Sequence, residues 1–418
     1  VTAATWRNCK LGDLLEIKHG YAFQGEYFAG AGSHIVLTPG NFHDEGGFKD
    51  KGGKEKWYTG PVPSDYVLKE GDLIVAMTEQ AEGLLGSSAI IPRSGLYLHN
   101  QRLGLVQVRD QSQADKRFLY YLFNSKPVRQ QIRASASGTK IRHTAPSRIG
   151  EVKVKVPSLP VQHRIAGILS AYDDLISNNQ RRIKILEEMA RSLYREWFVH
   201  FRFPGHDKIK MVSSPLGHIP QGWEAKKLGD IADVNRAQIN PRIAPDEVHY
   251  IDISSVSPGQ IETVTTYLFS EAPGRARRIV QHGDILWSCV RPNRRSHALV
   301  MKPEPNTIAS TGFAVLTTTK IPFTFLYLAT TTDDFVTYLV NNATGAAYPA
   351  VTAKIFEDAT LLVPTAPLLK KFGEATIPMA EQSNSLQRQN QNLRRTRNLL
   401  LPRLLSGQVD IRSTESIA

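Results

Sequence analysis

At 418 residues, with 41% apolar and 22% charged side chains, the chain is too long for one ordinary core and too apolar for disorder, so two domains plus connectors are expected. Its formal net charge of +12 suits a polyanionic partner such as nucleic acid. No apolar run approaches the roughly 18 residues that cross a bilayer, and the opening VTAATWRNCK lacks a signal-peptide core. Cys9 and Cys289 sit in no CxxC or Cys/His cluster, which argues against a zinc site and for reduced thiols in a cytosolic protein.

In chain order, WRNCKLGDLLEI (6–17) leads into short β-rich runs, HIVLTPG, DLIVAM and LGLVQV, and then a helical stretch, RFLYYLFNSKPVRQQIRASA. SGTKIRHTAPSRI (137–149) and VPSLP (156–160) close the first half. After a long helical segment the same order returns. WEAKKLGDIADV (223–234) matches the opening through Trp6/Trp223, Leu11/Leu228, Gly12/Gly229 and Asp13/Asp230. HYIDIS, GDILWSCV and GFAVLTT are the second set of β-rich runs, and FTFLYLATTTDDFVTYLVNNA is the second helical stretch. TGAAYPAVTAKIF (344–356) and VPTAP (363–367) close it. The offset drifts only from 223 − 6 = 217 to 363 − 156 = 207, so the chain is a duplication. The expected fold class is α+β: two copies of one globular domain separated by two long antiparallel coiled-coil helices, pseudo-twofold symmetric.

The first long helix is predicted over 164–198. Ile165, Leu169, Tyr172, Ile176, Asn179, Ile183, Leu186, Ala190, Leu193 and Trp197 alternate in steps of four and three, a heptad seam interrupted by one Asn that would set register. The second carries Phe372, Met379, Leu386, Leu393 and Leu400 every seven residues, interleaved with a more polar row, Thr376, Ser383, Asn390, Arg397 and Leu404. Its regular part is expected to start at Pro378, because proline ends or kinks a helix arriving from Pro367, and to finish at Pro402 and Gly407. A helix of about 40 residues reaches about 60 Å and needs an equally long partner. The seam alone also fits a protein that merely dimerises.

Basic clusters mark candidate DNA contacts. In VRPNRRSH (290–297), Arg291, Arg294 and Arg295 have the chemistry for guanine and Asn293 for adenine, or they form a phosphate patch. The counterpart TEQAEG (78–83) has no arginine, so the two domains should read different sequences. In 137–149, Lys140, Arg142, His143 and Arg148 follow a Gly turn suited to phosphate; the second half offers Tyr348 and Lys354 after Gly345. FKDKGGKEKWY (48–58) sets Lys49, Lys51, Lys54 and Lys56 beside Trp57 and Tyr58, and Arg102 lies in the turn HNQR. These segments also read as solvated loops. Arg181, Arg182 and Lys184, and the acidic pairs Asp173-Asp174 and Asp333-Asp334, are expected on solvated helix faces.

Catalytic signatures are missing. There is no GxxxxGK[ST] loop, no HExxH, no deaminase zinc pattern, no Asn/Asp-Pro-Pro-Tyr/Phe tetrad and no Gly-rich dinucleotide turn.

The segment LPVQHRIAGILSAYDDLISNNQRRIKILEEMARSLYREWFVHFRFPGH (159–206) resembles the central conserved region of the specificity (S) subunit of type I restriction-modification systems. NLLLPRLLSGQVDI (398–411) is similar to that family's C-terminal conserved region, and the W…KLGD openings and VPSLP/VPTAP exits look like its domain borders. The resemblance implies target-recognition domains at 1–158 and 205–366, a central helical region at 159–204 and a C-terminal one at 367–418. It further implies that each domain reads half of a bipartite double-stranded DNA site, and that the helices set the spacer and dock two methyltransferase (M) subunits. Those subunits would carry S-adenosylmethionine and methylate adenine N6. Restriction (R) subunits, using ATP and Mg, would join through them. The chain itself would hold no cofactor or metal, catalyse nothing, touch no membrane and work in the cytoplasm. Two other readings stand beside this one: a coiled-coil scaffold, and a stand-alone DNA-modifying enzyme with an unrecognised site.

Overall fold

The structure, a computed structural model, describes residues 6–80, 82–214, 217–318 and 320–409. The first five residues, Ala81 of the 78–83 loop, and Asp410 and Ile411 of the C-terminal motif lie outside the described residues. The chain forms two compact units: Asn178–Gln389, and the residues up to Ser177 together with those from Asn390 onward.

In the first unit an antiparallel sheet has the order Leu15–His19, Leu103–Val108, Leu73–Ala76, Ser88–Ile90. In the second unit, Ala232–Val234, Phe313–Thr318, Ile285–Ser288 and His297–Leu299 repeat that order. The central strands, LIVA and ILWS, are buried throughout because both faces are covered. Alternate side chains enter different cores. Leu73 and Val75 join the helix-side cluster, whereas Ile74 and Ala76 face a second, smaller one. Ile285 and Trp287 are parted from Leu286 in the same way. A second four-stranded sheet in each unit contains one parallel pair, His34–Val36 with Tyr97–Leu98 and Glu247–Ile251 with Thr307–Ser310. The copies differ at its edge: Phe28–Ala29 is added in one, Ala276–Ile279 in the other.

The repeated Gly-Asp pairs are turns. The Asp72 carboxylate accepts the Lys69 N–H and that of Asp284 the Gln281 N–H, both at 2.8 Å. Each helical stretch is two helices, Lys116–Phe123 and Lys126–Ala134 in the first unit, Phe323–Thr330 and Asp333–Asn341 in the second. Asp115 caps the first of these by accepting the Phe118 N–H at 2.7 Å.

The central helix runs Leu159–Tyr194 and ends in a π-turn, Arg195–Val199. The C-terminal helix runs Ala366–Leu405 without a break. The expected start at Pro378 is therefore corrected. Pro378 is exposed, and so is Glu374, whose carbonyl loses its intrahelical N–H partner at this exposed position of the helix. Pro367 sits in the first turn, where a missing N–H costs nothing. Pro402 also lies inside the helix. The end is a Schellman motif: Gly407 has φ +75° and donates to the Leu404 carbonyl at 3.3 Å, and Gln408 donates to that of Arg403 at 3.0 Å.

Within each unit the two helices run antiparallel. In the first, Leu404 shares a core with Ile165 and Leu169, and Arg397 meets Asp173. In the second, the Trp197 ring lies 5.8 Å from Phe372, and Asn179 donates to the Gln389 side chain at 3.5 Å. Every predicted seam residue is buried or half-buried, including the polar Asn179, Thr376, Ser383 and Asn390. Ile183 is half-buried, so Ile176 and Leu386 are the tighter seam positions.

Candidate nucleic-acid interface

The two units present the same end of their main sheet in the same way. In the first, the Met77 N–H donates to the Arg102 carbonyl and the Met77 carbonyl accepts from Thr144, both at 2.9 Å. In the second, Cys289 donates to Gly312 and accepts from Val351, again both at 2.9 Å. Burial pushes the Cys289 thiol up to about 11, so it remains protonated and unreactive. Cys9 is likewise a free thiol.

A hairpin and a loop meet beside each of these points. In the first unit Ser137 and His143 exchange two backbone hydrogen bonds, at 3.0 and 2.8 Å; Thr344 and Ala350 do so in the second, both at 2.9 Å. Gly138 and Gly345 turn each tip with φ +98° and +100°. A Cβ on Gly138 would stand 2.1 Å from the Ile141 carbonyl oxygen, so no other residue fits there. The hairpin then pairs with the loop, through Arg142–Glu79 and His143–Thr78 in one unit and Ala350–Val290 in the other. Lys140, Arg142, His143 and Tyr348 therefore occupy one small region of their own unit, next to Arg102 or to Arg291 respectively.

The loops are held by opposite charges. Glu79, buried at 4% exposure, accepts N–H bonds from Gly83 at 3.1 Å and Leu85 at 2.9 Å. Arg129 holds the same loop from behind, donating to the carbonyls of Leu85 at 2.9 Å, Asp44 at 3.0 Å and Gly83. Burial lowers the Arg129 pKa, with Glu79 and Asp44 opposing the shift. Arg133 pairs with Glu82 at 2.6 Å. In the second unit the polarity is reversed. Arg295 reaches Asp333, the first residue of the equivalent helix, at 2.5 Å. Arg291 and Arg295 both have left-handed backbones, φ +51° and +55°, a strain of roughly 1–2 kcal/mol each. Arg291 donates its N–H to Pro349 at 2.7 Å, and its guanidinium lies 4.6 Å from the Tyr348 ring centroid. Asn293 and Arg294 remain exposed between these anchors.

The other candidates are dispersed. Lys54 and Lys56 are exposed, and Lys56 lies 5.7 Å from the Phe28 ring centroid. Lys51 donates to the Thr38 hydroxyl at 2.9 Å. Trp57 and Tyr58 form a strand; Tyr58 is buried and Trp57 packs on a core cluster, so the aromatics of this loop serve the fold. Arg148 is exposed but braces its hairpin through the Ser135 carbonyl at 3.0 Å and the Ser137 hydroxyl at 3.1 Å. Lys354 pairs with Asp358 at 3.1 Å along its own helix. Arg181, Arg182 and Lys184 are exposed as expected. Asp173 departs from the expected solvated face, being half-buried as the acceptor for Arg397, whereas Asp333 is exposed as expected even though it pairs with Arg295.

Sequence reasoning missed Arg129, Arg133 and Ile141. The 3–4 spacing of Arg129 and Arg133 with Val128 and Ile132 in KPVRQQIRA shows an amphipathic helix, but not which loop its arginines reach. Among the described residues no group of three or more His, Cys, Asp or Glu could hold a metal, and no helix is long and apolar enough to cross a membrane.

Residues 4–188 match a family described as "Type I restriction modification DNA specificity domain". The chain is 23% identical over 299 residues to the type I restriction enzyme MjaIX specificity subunit of Methanocaldococcus jannaschii, covering 70% of this chain and 69% of that protein. It is 22% identical over 359 residues to the HindI specificity subunit of Haemophilus influenzae, covering 70% and 77%. The crystal structure of a type I restriction-modification S subunit from M. genitalium has the same fold, with TM-score 0.62, 17% identity and 97% of each chain covered. With its duplicated α+β domain and paired long helices, this chain is similar to type I restriction-modification DNA specificity subunits over about 70% of its length.

Proposed function

We propose that residues 1–158 and 205–366 are target-recognition domains, each reading one half of a bipartite double-stranded DNA site. In this reading the helical regions 159–204 and 367–418 set the spacer between half-sites. They also dock two M subunits, through which R subunits join. The chain is non-catalytic and cytoplasmic; S-adenosylmethionine, ATP and Mg belong to its partners. The observation that carries the reading is the pair of equivalent sheet ends, each with the same hairpin and loop but different side chains: Glu79 and Arg142 in one, Arg291 and Pro349 in the other. One backbone frame with two side-chain sets suits two half-sites of different sequence.

The test is a domain exchange. Residues 1–158 are replaced by the first domain of another specificity subunit, the chimera is expressed with its M subunits, and N6-methyladenine is mapped by single-molecule sequencing. One half of the methylated motif should change and the other stay. A change in both halves would end the independent-domain reading. No methylated motif with the unmodified chain and its M subunits would end the specificity reading itself.

A further inference from the structure

The hairpin tips carry a feature that basic clusters do not explain. Ile141 is 40% exposed and Tyr348 69% exposed, although large apolar side chains gain most by burial. They stand at the same place: each is the third residue after the left-handed glycine and lies inside the doubly bonded hairpin. Each has positive charge at its edge: Lys140 and Arg142 adjoin Ile141 in sequence, and the Arg291 guanidinium lies over the Tyr348 ring. Duplex DNA meets both demands, with phosphates for the positive charge and one apolar group in the major groove, the thymine C5 methyl.

We propose that Ile141 and Tyr348 are equivalent apolar readers, each contacting a thymine methyl in the half-site of its own domain. This rests on the reading of both domains as DNA-binding. The major groove is wide enough to admit protruding backbone, and the glycine turn with its paired hydrogen bonds closes each tip into a compact loop. Ile141 is β-branched and stiff, suited to a fixed methyl contact. Arg291 covers one face of Tyr348 and leaves the rest of the ring to meet the base.

The experiment uses the chain with its M subunits and a duplex carrying the mapped target. Each thymine in turn is replaced by deoxyuridine, which removes only the methyl, and affinity is read by fluorescence anisotropy. The intact complex should weaken roughly three- to fivefold at one position in each half-site, the loss expected for one buried methyl-sized group. Ile141→Ala should abolish the sensitivity in one half and Tyr348→Ala in the other, each leaving the opposite half unchanged. Because both side chains are exposed, the variants should melt like the parent. Sensitivity retained at every thymine in both variants overturns the proposal, as does a duplex in which no thymine methyl matters. Base-pair transversions across both half-sites form the control. If these also leave affinity unchanged, the domains do not read sequence and the underlying function fails with it.

Discussion

Arg397, on the C-terminal helix, donates to the carboxylate of Asp173 on the central helix, and the hydroxyl of Tyr121 donates to the other carboxylate oxygen at 2.6 Å. One carboxylate thus joins two long helices to the globular part of the first unit. Arg397 takes a core-facing seam position and is only 20% exposed. Asp173→Ala leaves a half-buried guanidinium and a phenol without their acceptor. The expected cost is about 2–3 kcal/mol, read as a lower urea midpoint. Arg397→Met, which keeps the volume, should cost less than Arg397→Ala. Equal losses would show that the volume of the Arg397 side chain contributes nothing beyond its charge.

Leu386 is 1% exposed in the polar seam of the C-terminal helix, whereas Leu399 on the same helix is 59% exposed. Leu386→Ala should destabilise by about 2–4 kcal/mol and Leu399→Ala by less than about 0.5 kcal/mol. Thermal denaturation of the two variants side by side tests the seam, and a reversed order would reject it.

Each unit buries a neutral histidine. Burial lowers His99 and His297 from 6.5 to about 4, and neither Nδ1 has a protein partner that could share a proton. A base with a lowered folded pKa binds more protons when unfolded. Its contribution is therefore complete above about pH 6.5 and is lost as the pH falls toward 4, by up to about 3 kcal/mol for each histidine. Urea midpoints should drop between pH 7.5 and 5. His297→Phe, which keeps the ring beside Trp287, should flatten that slope; an unchanged slope would remove His297 from the account.

Glu79 closes the first-domain loop on two backbone N–H groups, so Glu79→Ala leaves both without their acceptor. A stability loss of about 1–3 kcal/mol is expected. A loop that merely supports the fold would leave DNA preference intact once the protein is folded. A loop that reads DNA should, when loosened, relax the methylated motif in one half-site only. Methylome mapping of the Glu79→Ala strain at permissive temperature distinguishes the two.

Periodicity and repetition were enough to reveal the duplication, the α+β class and both helix seams, because these depend on near neighbours and on spacings of two, three and four residues. Tertiary structure alone decided the rest. Pro378 continues a helix at an exposed position, and exposure is something the order of residues does not state. Trp57 looked like a nucleic-acid aromatic beside lysines, yet pairing with His34–Val36 turns it onto a core. Asp173 looked solvated until the distant Arg397 reached it. Ile141 drew no notice among its basic neighbours, because exposure belongs to the folded surface and not to residue type. Glu79, Arg129 and Arg133 are up to 54 positions apart in sequence, 133 − 79 = 54, and meet only when a strand end and a helix are brought together. Chain patterning thus determined which elements form, and long-range contact determined which side chains remained available to a ligand.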